Sequence, residues 1–169
     1  MNKIAVIIAS DQGAKLALTI RQELPGAELY STVEREHCTP ITSIQTFVSE
    51  QFSRFDALVF IGALGICVRA IAPCVRSKYT DPAVINIDSS GNHVISVLSG
   101  HTRMPLRLAA ILGANPVITT QSDNNDLWAL DTLGQTYGWK ANSTSPLNTV
   151  ISTFVNTRPV ALLLDIKDE

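Results

Sequence analysis

The sequence predicts an α/β fold: a mixed, mostly parallel sheet flanked by helices on both faces, with one β-hairpin. Three observations carry that expectation. Short β-branched apolar runs alternate with stretches of helical apolar spacing along the first two thirds of the chain. The run at 57–61 ends in Gly62-Ala63-Leu64-Gly65, a glycine turn of the kind that joins a buried strand to a helix. The runs at 83–87 and 93–98 are separated only by Asp88-Ser89-Ser90-Gly91-Asn92, a linker short enough for a hairpin, so one strand pair is antiparallel.

Residues 3–9 form a short run rich in β-branched residues and fit a strand buried on both faces. Ser10-Asp11-Gln12-Gly13 then offers cap groups for a helix over 14–24, which Pro25-Gly26 stops. A second strand is expected at 27–31, and residues 32–40 read as a polar loop. Ile41, Ile44, Phe47, Val48 and Phe52 lie close to helical spacing, predicting a helix over 41–52. The third strand covers 56–61, and a helix runs from Gly65 until Pro73. After the hairpin, a helix over 106–112 is closed by Gly113, and residues 116–119 form the next strand. Beyond Asp123 the pattern predicts a helix over 127–137, a polar loop at 142–145, a helix near 147–156 and a strand at 160–164. With 169 residues the expectation is one α/β domain over 1–125, and over 126–169 the start of a second region cut from something longer.

The totals narrow the function classes. A formal net charge of −2 with only 13 Lys+Arg gives little surface for neutralising many phosphates, so nucleic acid is not an expected partner. Cys38, Cys67 and Cys74 are odd in number and hold no C-x-x-C pair, which speaks against a disulfide framework or a zinc site and for reduced thiols in a cytoplasmic protein. Asp11 interrupts the N-terminal apolar run before a signal peptide's core is complete, and no run is long enough to span a membrane.

Several strand ends carry groups with chemistry. Gly62-Ala63-Leu64-Gly65 leaves backbone N–H groups at a helix N-terminus, an anion site with Arg69 one turn on, or simply a tight turn. Arg76, Lys78 and Asp81 cluster in one loop, as a carboxylate clamp or as solvated charges. Ser99-Gly100-His101 sets an imidazole at a strand end, where it could transfer a proton at neutral pH or serve structurally. Thr119-Thr120-Gln121-Ser122-Asp123 ends the next strand with hydroxyls and a carboxylate, which helix capping also explains. If the helix after Gly65 spans the sheet, the Gly62 turn and Ser99-Gly100-His101 fall on opposite edges. A short helix, followed by residues 73–82 climbing back at ~3.3 Å per residue, would let the turns at Gly62, His101 and Asp123 converge on one pocket. That convergence is the expectation.

The ordered set Gly65-Ile66-Cys67-Val68-Arg69-Ala70-Ile71-Ala72-Pro73, Lys78-Tyr79-Thr80-Asp81-Pro82-Ala83-Val84, Asp88-Ser89-Ser90-Gly91, Val94-Ile95-Ser96-Val97-Leu98-Ser99-Gly100-His101 and Gly113-Ala114-Asn115-Pro116-Val117-Ile118-Thr119-Thr120 resembles the N-terminal region of the CbiG family, the cobalt-precorrin 5A hydrolases of anaerobic cobalamin biosynthesis. One departure stands out. Where the family continues with Gly-Gly-Ala-Asn, this chain has Arg103-Met104-Pro105-Leu106, and the loss of two glycines removes a point of close backbone approach.

The resemblance implies hydrolytic opening of the ring A δ-lactone of cobalt-precorrin 5A, with C20 and its methyl group leaving as acetaldehyde and cobalt-precorrin 5B as product. It implies a cobalt-corrinoid substrate, no separate cofactor because cobalt arrives inside that substrate, and a C-terminal part of the same enzyme that this chain lacks. On that reading His101 is the candidate base and Asp123 orients or replaces it. Backbone N–H groups at Gly62, Gly65 or Gly100 are candidates for the oxyanion, and Arg69, Arg76, Lys78 and Arg103 for the macrocycle's carboxylates. Two other readings are a corrinoid-binding or partner-docking module without catalysis, and a flavodoxin-like nucleotide binder, which rests on architecture alone.

Overall fold

The structure is a computed structural model and describes residues 3–78, 80–98, 103–119, 130 and 145–156. The first strand, β1 (Ile4–Ile8), is buried at every position, as expected of an apolar run with no polar alternation. Helix α1 (Asp11–Glu23) starts where the Ser10 hydroxyl accepts from the Gly13 N–H, the capping bond that the Ser-Asp-Gln-Gly stretch predicts. It begins three residues earlier than the apolar spacing alone gives, because the cap and not the first apolar residue sets the start. Strand β2 (Ala27–Ser31) follows as predicted. Within the expected polar loop, β3 (Thr39–Pro40) pairs with the end of β2, a two-residue bridge too short to leave a sequence pattern.

Helix α2 (Ile44–Gln51) is capped by the Ser43 hydroxyl and runs into a 3-10 turn at Phe52–Arg54. Strand β4 (Ala57–Ile61) leads through Gly62 into α3 (Leu64–Ile71). The hairpin is present: β5 (Ala83–Ile87) pairs antiparallel with β6 (His93–Leu98). Asp88 fastens its turn, accepting from the Ser90 and His93 N–H groups. Helix α4 (Met104–Leu112) carries Pro105 in its first turn and ends at Gly113 in the left-handed region (φ 64). Strand β7 (Asn115–Val117) and α5 (Leu147–Val155) complete the described elements. The expected helix over 127–137 and strand at 160–164 lie outside the described residues.

Among the described residues the sheet has seven strands in the order β3-β2-β1-β4-β5-β6-β7. Strands β1 to β5 are mutually parallel, β6 runs against them, and β7 is parallel to β6. The sheet is therefore mixed and mostly parallel, as the sequence predicts. Each face carries its own apolar layer. On one, Ala17 and Ile20 of α1 and Leu108 and Ala109 of α4 pack on Val6, Val59 and Ile85. On the other, Phe47 and Val48 of α2 and Cys67 and Ala70 of α3 pack on Ala5, Leu58 and Val84. The chain divides into two compact units, Met1–Ile118 and Thr119–Glu169; the sheet belongs to the first and α5 to the second.

Candidate functional site

The strand directions define two rims, and each predicted residue belongs to one of them. At the rim where β1, β4 and β5 end, Gly62 is locked into the turn: its N–H donates to the Ile87 carbonyl (2.9 Å). A Cβ there would stand 3.0 Å from that of Ala9, tighter than most side-chain contacts, so the turn leaves little room for any residue but glycine. The first turn of α3 has no side-chain cap. Arg69 does not reach out from this helix; its guanidinium folds back and donates to the Gly65 carbonyl (3.2 Å). The cleft beside the turn is shallow, open to solvent and walled by apolar groups of Ile7, Ile44, Phe60 and Ile66. Sites for small molecules are concave and span roughly 300–1,000 Å³, and this shallow apolar cleft is not such a site.

One polar residue at this rim was hidden inside an apolar run. Asn86, only 1% exposed, donates through Nδ2 to the Gly62 carbonyl (3.2 Å), while its Oδ1 meets no donor among the described residues. An asparagine in the middle of Ala-Val-Ile-Asn-Ile was the available signal.

The opposite rim is where β5 begins and β6 ends, since Val84 pairs with Leu98. Here Asp81 is neither a clamp nor a solvated charge. Its Oδ2 accepts from the N–H groups of Arg76 (2.8 Å) and Ser77 (2.9 Å), and its own N–H donates to the Ser77 carbonyl. The carboxylate is a staple that folds the loop, on which Arg76 and Lys78 are exposed. Arg103 stands just before α4, exposed, with Arg107 exposed one turn later. Helix α4 leads to β7, whose first residue aligns with His93 at the Gly62 rim; its N-terminus therefore lies at the rim of Arg76 and Lys78.

The predicted set is thus divided. Gly62, Gly65 and Arg69 occupy one rim, and Arg76, Lys78 and Arg103 the other. Gly100, His101 and Asp123 lie outside the described residues; the chain leaves β6 at Leu98 and returns at Arg103, both on the second rim. The expected convergence of the Gly62 turn with that strand end is not what the sheet gives. Helix α3 is short, as convergence required, but residues 72–82 do not climb back: β5 starts level with β4, Ala57 against Ala83. The hairpin then reverses the chain, so β6 ends at the far edge.

The electrostatics differ between the rims too. The ion pairs among the described residues, Asp11–Arg35, Glu36–His37 and Asp88–His93, belong to turns that follow the ends of β1, β2 and β5. No described acid pairs with Arg76, Arg103 or Arg107. Burial pushes the Cys67 thiol up to about 12, so it is a core group and no nucleophile. No group of His, Cys, Asp and Glu suited to hold a metal occurs among the described residues. No described helix is long and apolar enough to cross a membrane.

Comparison with known proteins gives consistent matches. The family model described as cobalamin synthesis G N-terminal matches residues 46–123, and that of the cobalamin biosynthesis central region matches 128–169. A cobalt-precorrin-5A hydrolase of Salmonella typhimurium is 53% identical over 88 residues, covering 50% of this chain and 25% of the relative. A protein of the same name from Priestia megaterium is 38% identical over 125 residues, covering 72% of this chain and 33% of the relative. The chain thus spans a quarter to a third of these relatives. The crystal structure of a cobalamin biosynthesis protein G homologue from Sulfolobus solfataricus shares the fold, with a TM-score of 0.55 at 22% identity, over 86% of this chain and 51% of that one.

Proposed function

The chain belongs to the CbiG family, carrying its N-terminal region and part of its central region, and from that premise we propose that it serves the hydrolysis of cobalt-precorrin 5A in cobalamin biosynthesis. The bond opened is the ring A δ-lactone, with acetaldehyde released and cobalt-precorrin 5B formed. Cobalt enters as part of the substrate. The observation that carries this reading is the rim where Arg76, Lys78 and Arg103 flank the strand leading into Ser99-Gly100-His101. Cations grouped at one sheet edge suit a macrocycle bearing several acetate and propionate carboxylates.

Lactone opening needs a base to take a proton from water and donors for the charge that develops on the carbonyl oxygen. His101 is the base in this proposal, and Asp123 the carboxylate that supports it; both roles rest on the sequence. The Gly62 turn lies at the rim opposite the end of β6, and in this proposal the donors are the Gly100 N–H and the Arg103 guanidinium. Arg69, bonded to its own helix, leaves the clamp.

The test is His101→Ala in the full-length enzyme, assayed for acetaldehyde and for corrinoid binding. Loss of acetaldehyde with binding retained supports the proposal. Turnover that survives the substitution favours the second reading, in which this region binds corrinoid or docks a partner and the catalytic groups lie in the part of the relatives this chain does not span.

A further inference from the structure

We propose that Arg107 is a specificity-determining contact for an anionic ligand, forming with Arg103 one jaw of a two-sided grip whose other jaw is the loop of Arg76 and Lys78. The proposal rests on the functional reading above and names a group that the sequence did not single out. Three observations carry it.

First, the two jaws come from opposite faces of the sheet to the same edge. Arg76 and Lys78 follow α3, which packs with α2 on one face; Arg103 and Arg107 start α4, which packs with α1 on the other. A ligand seated over the ends of β5 and β6 would meet cations from both sides. Second, the carboxylate within the Arg76–Lys78 loop is already engaged. Asp81 is the carboxylate of that loop, and its Oδ2 accepts from two backbone N–H groups. Arg76, Arg103 and Arg107 have no carboxylate partner among the described residues.

Third, the charges on α4 are placed against the helix's own field. The N-terminus of a helix carries partial positive charge and favours acidic groups. Here the first turn holds no acid and no side-chain cap, and arginines occupy position 103 and position 107, one turn apart on one side. An arrangement unfavourable in the free protein is relieved when an anion binds. Arg103 also stands where the family resemblance places glycine, so this jaw is a property of this chain and bears on which carboxylates it accepts.

The experiment is equilibrium binding to the full chain at low salt, using a cobalt corrinoid with free side-chain carboxylates, its neutral methyl ester, and inorganic tripolyphosphate. The free acid is expected to bind and the ester not to. Arg107→Gln should weaken the acid about threefold to fivefold, Arg107→Lys should restore most of the loss, and Lys15→Gln on exposed α1 should change nothing. Far-UV circular dichroism of each variant checks the fold. Equal affinity of Arg107→Gln and the parent for the acid overturns the inference while leaving the corrinoid reading intact. Arg107-dependent binding of tripolyphosphate with no corrinoid bound upholds the anion site and overturns the corrinoid reading instead.

Discussion

Asp81 shows how one carboxylate can decide the presentation of two cations. Because it accepts from both Arg76 and Ser77, Asp81→Asn should cost about 1–2 kcal/mol in denaturant unfolding, since a charge-assisted acceptor becomes a neutral one. Unchanged stability would show the staple to be idle. Cys67 gives a pH prediction. Its folded pKa, about 12, lies above the unfolded value, so the folded state holds the proton more tightly. The stability this contributes is complete below pH ~9 and is lost as pH rises from there toward 12. Cys67 should also resist alkylation at pH 8 until the protein unfolds; labelling of the native protein at the unfolded rate would contradict its burial. At this scale the sequence was legible where partners are neighbours, as with the Ser10 cap on Gly13. It was silent where they are distant: Asn86 meets Gly62 across 24 positions, and nothing in the local pattern says so.

Elements are legible to the extent that one physical signal dominates each. Strands β2, β5 and β6 fall at the predicted residues because turn residues bound them, and β2 and β5 are buried almost throughout. Helix α2 starts three residues late because Ser43, not Ile41, supplies the cap. Helix α4 starts two residues early, at Met104, because Pro105 is welcome in a first turn that lacks intrahelical N–H bonds. The two left-handed glycines of the described turns give a paired prediction. Gly113→Ala adds a side chain in open space, so only backbone strain remains, about 1 kcal/mol. Gly91→Ala combines the same strain with a contact of 2.8 Å to Leu16, and should cost more by thermal unfolding. Equal costs would mean that Leu16 gives way freely.

At the scale of the whole molecule, the class of fold was readable but the pairing of its rims was not. Among the described residues both outer strands carry a proline, Pro40 in β3 and Pro116 in β7, which fits those positions because proline cannot donate to a further strand. Sequence spacing allowed residues 72–82 either to climb back or to return to the start of β4, and only the register distinguishes these. That choice sets the glycine turn at the rim opposite the end of β6, where Arg76 and Arg103 lie. The most direct test is therefore acetaldehyde release from cobalt-precorrin 5A, below saturation, by full-length enzyme with charge reversed on one rim or the other. The account predicts that Arg76→Glu combined with Arg103→Glu slows release about tenfold or more, while Arg69→Glu stays within about twofold of the parent. A large loss with Arg69→Glu and none with the pair would place the substrate on the Gly62 rim and contradict it.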